Sequence, residues 1–282
     1  MLANLPRIKL LSGLYSLETL MKLPVLLSIA LGLSANVSLD FLPLPAIAAE
    51  LSAIKKRGRL VVAVKETVRP LGFRSANGQL QGLEIDLARR LAQELLGRSD
   101  VVELKPATNQ DRFSLVMNGQ VDIAIAHTTL TPSRLRILSF SLPYYTDGTA
   151  VITKSPTIQK NTDLTGKTVA VINGSSAIAA LRSQLAGVNL VGVESYDAAK
   201  AVLDRGDAIA FAADVSILSG WSQEFPEYRL VLPALSSELL AIVLHKGQQY
   251  NELKEKIDQI LTRLKNSGWF EERVKYWGLP TR

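Results

Sequence analysis

The segment Thr129-Leu130-Thr131-Pro132-Ser133-Arg134 puts a helix start and a cation in one place. Thr131 can cap, and Pro132 suits the first helical position because its missing N–H would be unpaired there in any case. Free amide donors and the positive end of the helix dipole gather at such a start, and Arg134 adds a planar fork of donors. With the Thr129 hydroxyl, this is chemistry for holding a small carboxylate. Asn173-Gly174-Ser175-Ser176 offers further amides and hydroxyls at a strand-to-helix turn. Asp214, just past an apolar run, is the complement, a lone carboxylate able to bind an ammonium by a charge-assisted bond. Singly, these residues read as caps, loop hydroxyls and a surface arginine. Together, an anion site facing a carboxylate describes a site for an α-amino acid.

The elements that must position them alternate. Val121-Asp122-Ile123-Ala124-Ile125-Ala126 reads as a buried strand of a parallel sheet, delivering His127 and the loop to Arg134. Strands are expected over 59–64, 101–104, 149–153, 167–172, 208–212 and 239–244, with 65–77 a loop containing the turn signal Asn77-Gly78. Leu87, Leu91 and Leu95 recur every fourth residue in a helix that opens at Gly82 and ends at Gly97. Further helices are expected over 111–118, 177–185 and 196–203. The clearest covers 249–265, with Leu253, Ile257, Ile260, Leu261 and Leu264 on one face. Such alternation is α/β with parallel sheets. Leu115…Gly119…Asp122-Ile-Ala-Ile-Ala is echoed by Leu203…Gly206-Asp207-Ala-Ile-Ala-Phe, which suggests two lobes on one plan. Ligands of open α/β sheets sit beyond the carboxyl ends of the strands, so the cleft is expected between 65–73, 127–134, 173–176 and 213–214.

Met21-Lys22, the apolar run that follows and Ala46-Ile47-Ala48 describe a secretory signal peptide over 1–48, with Met21 a candidate true start. The residues after Ala48 carry 29 basic and 24 acidic side chains, spread along the chain. That balance suits solubility and mild attraction for anions rather than nucleic acid, since no aromatic-interleaved basic stripe is present. The chain has no cysteine and two histidines, His127 and His245. Disulfides, thiolate metal sites, a thiol nucleophile and an N-terminal lipid anchor on cysteine are therefore excluded, and neither a histidine metal cluster nor a Ser-His-Asp triad has much material. No cofactor and no metal are expected. The expected product is an unanchored periplasmic monomer.

An ordered set of motifs resembles one family, the family 3 extracellular solute-binding proteins that serve ABC importers as amino-acid receptors. The set comprises Gly82-Leu83-Glu84-Ile85-Asp86-Leu87, Arg112…Leu115…Gly119…Asp122, Thr129-Leu130-Thr131…Arg134, Phe140-Ser141-Leu142-Pro143-Tyr144-Tyr145, Leu164-Thr165-Gly166-Lys167, Gly174-Ser175, Asp214 and Lys275-Tyr276-Trp277-Gly278. The resemblance implies a two-lobed type II periplasmic-binding-protein fold, each lobe a mainly parallel sheet flanked by helices. Lobe 1 would hold 49–147 and 238–282, lobe 2 would hold 148–237, and the two crossings would form a hinge. It also implies Arg134 on an α-carboxylate, helped by Thr129 and by Ser175 or Ser176, with Asp214 on the α-ammonium, and a membrane permease as partner.

The sequence departs from the family pattern at Lys65 and Val68, where an acidic and an aromatic residue are common, and at His127, where a small one is. Lys65, with Arg69 or His127, would make the pocket more positive and favour acidic or neutral polar amino acids over cationic ones. An enzyme of the same fold, a dehydratase acting on arogenate or prephenate with Glu66 or His127 as acid or base, is the alternative; a sensor partner for a membrane kinase is a third reading.

Overall fold

The computed structural model describes residues 50–281, so the leader expected over 1–48 lies outside the described residues. The chain opens with α1 (Leu51–Arg57), stopped by Gly58 at φ 69°, and β1 (Leu60–Val64), buried along its whole length. The stretch expected as a loop instead folds β2 (Thr67–Val68) and β3 (Gly72–Arg74), which join β4 (Leu80–Gln81) in a small antiparallel sheet. The Asn77-Gly78 turn makes this possible by closing the β3–β4 hairpin through Ser75 N–H donating to the Gln79 carbonyl at 2.9 Å. Next come α2 (Leu83–Leu96), β5 (Val102–Pro106), α3 (Arg112–Met117), β6 (Ile123–Ile125), α4 (Pro132–Leu135), β7 (Ser139–Asp147) and β8 (Thr149–Thr153). The rest is β9 (Thr168–Ile172), α5 (Ser176–Gln184), β10 (Asn189–Val193), α6 (Tyr196–Arg205), β11 (Ala210–Asp214), α7 (Val215–Glu224), β12 (Arg229–Val231), β13 (Glu238–Leu244), α8 (Asn251–Asn266) and α9 (Trp269–Tyr276).

Two five-stranded sheets result, ordered β5-β1-β6-β13-β7 and β10-β9-β11-β8-β12. Each is parallel on one side and antiparallel on the other: β1 pairs with β5 and β6, and β9 with β10 and β11, in parallel, while β13 and β8 bring antiparallel partners. The topology explains the mixture. The chain leaves the first sheet on β7, enters the second through Gly148 alone, and returns on β13, which lies antiparallel to β7 with Glu238 opposite Asp147.

Each sheet has cores on both faces. Leu87, Leu91, Ile257, Ile260 and Leu261 cover one face of the first with α2 and α8, and Val116, Leu138 and Phe140 cover the other. In the second, Phe211, Leu218 and Tyr228 lie on one side and Leu164, Ala177 and Leu181 on the other. Among the described residues no helix is long and apolar enough to cross a membrane.

Candidate functional site

The loop after β6 of the first sheet and the ends of β9 and β11 of the second meet at one cavity of about 490 Å³. Its wall includes Arg112, His127, Thr129 and Arg134 from the first sheet's loops and helices, and Gly174, Ser175, Ser176, Tyr196 and Asp214 from the second's, with Glu238 at the start of β13. Of the eight residues singled out in the sequence, seven are thus brought together: His127, Thr129, Arg134, Gly174, Ser175, Ser176 and Asp214. Lys65 is placed elsewhere. Its ammonium is buried and donates to the Ala107 carbonyl at 3.0 Å, and it does not line the cavity. Arg69 lies over the Phe73 ring at 3.8 Å and Glu66 pairs with Arg74 at 2.7 Å, so neither of these reaches the cavity. The permanent cations that line it are Arg112 and Arg134.

Arg134 rests on α4, where Thr131 Oγ1 accepts from the Arg134 backbone N–H at 3.4 Å. Its guanidinium donates to the Thr129 carbonyl at 2.7 Å and stacks 5.2 Å from the Phe113 ring, whose other neighbour is Arg112 at 5.0 Å. One planar cation is therefore fixed with donors to spare. The Thr129 hydroxyl donates to Glu238 at 3.3 Å. Across the cavity Ser175 Oγ is buried and has no hydrogen-bond partner. Leaving such a hydroxyl unmatched costs about 1–3 kcal/mol, and a ligand oxygen would relieve it.

Among the described residues His127 is the non-glycine residue with positive φ, 48°. Its backbone is clamped into that shape. Its N–H donates to the buried Glu84 carboxyl at 2.7 Å and its carbonyl accepts from Arg112 at 2.8 Å. The imidazole then reaches Asp147 at 3.2 Å, Asp214 at 3.4 Å and the Ser216 hydroxyl at 3.4 Å, all through Nε2. Burial pushes the His127 pKa down, but the hydrogen bond and charge of Asp147, with Asp214 and Glu84 behind them, outweigh it and the net shift is upward. Asp147 is the better satisfied acid, accepting also from Ser216 N–H at 3.1 Å, Ser216 Oγ at 2.5 Å and Gly148 N–H at 3.0 Å. Burial raises Asp214 to about 6, with Asp147 and Glu238 adding to the rise and His127 opposing it. Two carboxylates share one imidazole, so even with that ring protonated the ionised corner keeps a negative charge that a ligand ammonium would neutralise.

The ligand atoms of His127, Asp147 and Asp214 lie within 4.8 Å of one another, so this trio is the place where the described residues could hold a metal ion. Asp147 is already engaged by the imidazole, the Ser216 hydroxyl and the amides of Gly148 and Ser216, whereas Asp214 meets the imidazole.

Sequence reasoning did not single out Arg112, Tyr196, Asp147 or Glu238 as site residues. Arg112 stood in the ordered motif set and position 147 at the expected end of the first part of lobe 1, neither with a role at the site. Their role follows from which elements meet.

Two lobes joined by two crossing strands, with a polar cavity at the strand ends between them, define a two-lobed solute-binding protein of type II periplasmic topology. Residues 60–280 match the family described as bacterial extracellular solute-binding proteins, family 3, and the chain belongs to that family. It is 28% identical over 230 residues to the ABC transporter glutamine-binding protein GlnH of Bacillus subtilis (strain 168), covering 80% of this chain and 84% of that one. It is 32% identical to a glutamine-binding protein of Geobacillus stearothermophilus, over 67% of this chain and 73% of the relative. Among solved structures, an ancestral cationic amino acid solute-binding protein superposes with a TM-score of 0.70 at 28% identity, covering 81% of this chain and 99% of that one. Membership of an extracellular family makes this an exported protein, and its named relatives are amino-acid-binding proteins rather than enzymes.

Proposed function

We propose that this protein is a periplasmic receptor that closes its lobes on an α-amino acid and hands it to the membrane subunits of an ABC importer, after loss of its leader near Ala48. The observation that carries the reading is one polar cavity with Arg134 on one wall and Asp214 on the other, beside the unsatisfied Ser175 hydroxyl. The ligand carboxylate would lie on Arg134, Ser175 and the amides around Ser176, and its ammonium on Asp214. Lobe 1 takes 49–147 and 238–282, lobe 2 takes 148–237, and the protein acts as a monomer.

Acidic or neutral polar amino acids are the proposed ligands. Arg112 and Arg134 both line the cavity, and their mutual repulsion already lowers the Arg112 pKa after burial has done so. A cationic ligand side chain would add a further positive charge beside these two guanidiniums. Arginine or lysine binding more tightly than glutamine or glutamate would overturn this preference.

The test is thermal unfolding of the protein, refolded from denaturant to strip any carried ligand, against the twenty amino acids and a set of organic acids. A ligand at a hundred times its dissociation constant adds roughly 2.7 kcal/mol. The expected result is a rise in Tm with one class of amino acid, absent in Arg134→Ala and Asp214→Ala. No rise with any amino acid would sink the reading, and turnover of arogenate or prephenate would then be assayed.

A further inference from the structure

A glycine in the middle of a short helix usually weakens it, because it adds conformational freedom without packing. Gly220 sits in the interior of the ten-residue α7, in the second lobe, and is buried. A Cβ built there would overlap the Arg69 carbonyl oxygen and lie 2.8 Å from its carbonyl carbon. Arg69 belongs to the first lobe. The obstacle is backbone, and it cannot yield easily. The next carbonyls, Pro70 and Leu71, accept from the N–H groups of Leu83 at 3.0 Å and Glu84 at 2.8 Å, which staples the segment to the first turn of α2. One turn further out, Gln223 Nε2 donates to the Trp277 carbonyl at 2.8 Å, again across to the first lobe.

We infer that Gly220 is a positioning residue for ligand capture. It lies where the backbone of α7 approaches the Arg69 backbone too closely to admit a Cβ, and the missing side chain lets the lobes shut along this seam. Gly220 touches no ligand; it acts through the fraction of molecules that are closed. The inference rests on the receptor reading, since only closure around a ligand gives the seam a function.

The chain has no cysteine, so Ser99→Cys and Gln184→Cys, one exposed position in each lobe, give two clean spin-label sites. The distance distribution is measured without ligand in wild type, Gly220→Ala and Gln223→Ala, followed by titration with L-glutamine and L-glutamate and by Tm. In Gly220→Ala the expected result is a longer mean distance, a ligand-free Tm equal to or above wild type because alanine is the better helix former, and amino-acid affinity reduced by the same factor as the closed fraction, about tenfold. Gln223→Ala should shift the distribution in the same direction by less. An unchanged distribution with a lowered Tm in Gly220→Ala would make the glycine ordinary interior packing and overturn the inference, as would an unchanged distribution in both variants. If no amino acid binds the wild type, the receptor reading fails, and the ligand-free distances still decide whether Gly220 sets the closed state.

Discussion

At the scale of residues, His127 and Asp214 are coupled and their stability linkages have the same sign, because both folded pKa values are raised and each group favours the folded state at lower pH. Asp214 has its folded pKa raised to about 6 from an ordinary value of 3.8. The folded protein therefore binds that proton more tightly than the unfolded chain, and stability is gained as pH falls from about 6 toward 4. Asp214→Asn removes the penalty of an ionised buried acid. The ligand-free variant should be more stable than wild type by about 1–2 kcal/mol at pH 8, allowing for partial solvent screening, with the gap closing by pH 4, although ligand binding is lost. Denaturant titration at both pH values checks this; a variant less stable than wild type at pH 8 would contradict it. His127 has its folded pKa raised, chiefly by Asp147 against the opposing effect of burial. Its contribution is present below the unfolded value and lost as pH rises through the folded one. His127→Gln should therefore cost more stability at pH 5.5 than at pH 9, and denaturant titration at the two pH values checks this direction.

At the scale of elements, α3 presents Phe113 between two guanidiniums, 5.0 Å from Arg112 and 5.2 Å from Arg134. Each contact is worth about 0.5–1 kcal/mol, more where water is excluded. Phe113→Leu keeps the apolar bulk and removes the π face. Amino-acid affinity should fall about three- to tenfold with little change in Tm, measured by calorimetric titration; unchanged affinity would show that Arg134 is held by the Thr129 carbonyl alone.

The elements also show where the sequence could be read. The Thr131 cap, Pro132 at the first helical position and Arg134 are as the sequence suggests, because capping is local chemistry. The helices of Leu83–Leu96 and Asn251–Asn266 announce themselves by periodicity, and Gly206 ends α6 at φ 79°. What stayed hidden is held by distant partners. β2 and β12 are two and three residues long, too short to show a period, and exist because β3 and β8 pair with them. The helix α7, with three serines and Gly220 among ten residues, has weak intrinsic propensity and is stabilised by burying Val215 and Leu218. Lys65 shows the limit at the site. The sequence correctly puts it at the end of a central strand, but its long side chain turns inward to Ala107, and that choice depends on a neighbouring loop.

At the scale of the whole molecule, chain order makes the two lobes unequal. The second sheet is built from one continuous segment lying between β7 and β13, so it can open while the first stays paired, at the cost only of a longer loop, which grows slowly with length. The converse is impossible without tearing β13 from β6 and β7. The cores point the same way. The first is filled largely by leucine and isoleucine of α2, α8 and the strands, whereas the second contains Ala150, Ala170, Ala199, Ala208, Ala210, Ala212 and Ala213, each burying less apolar surface. Without ligand, amides of β9 and β11 should therefore exchange with solvent through a sub-global opening, at a lower free energy than those of β1, β6 and β13. A ligand between the lobes touches both, so it should raise protection in β9 and β11 until the two groups exchange together at the global limit. Native-state hydrogen exchange in low denaturant measures this strand by strand. Equal protection of the two sheets without ligand would mean that the seam along α7 and the paired strands β7 and β13 already bind the lobes into one cooperative unit, and that ligand capture draws on rigid closure rather than on ordering the second lobe.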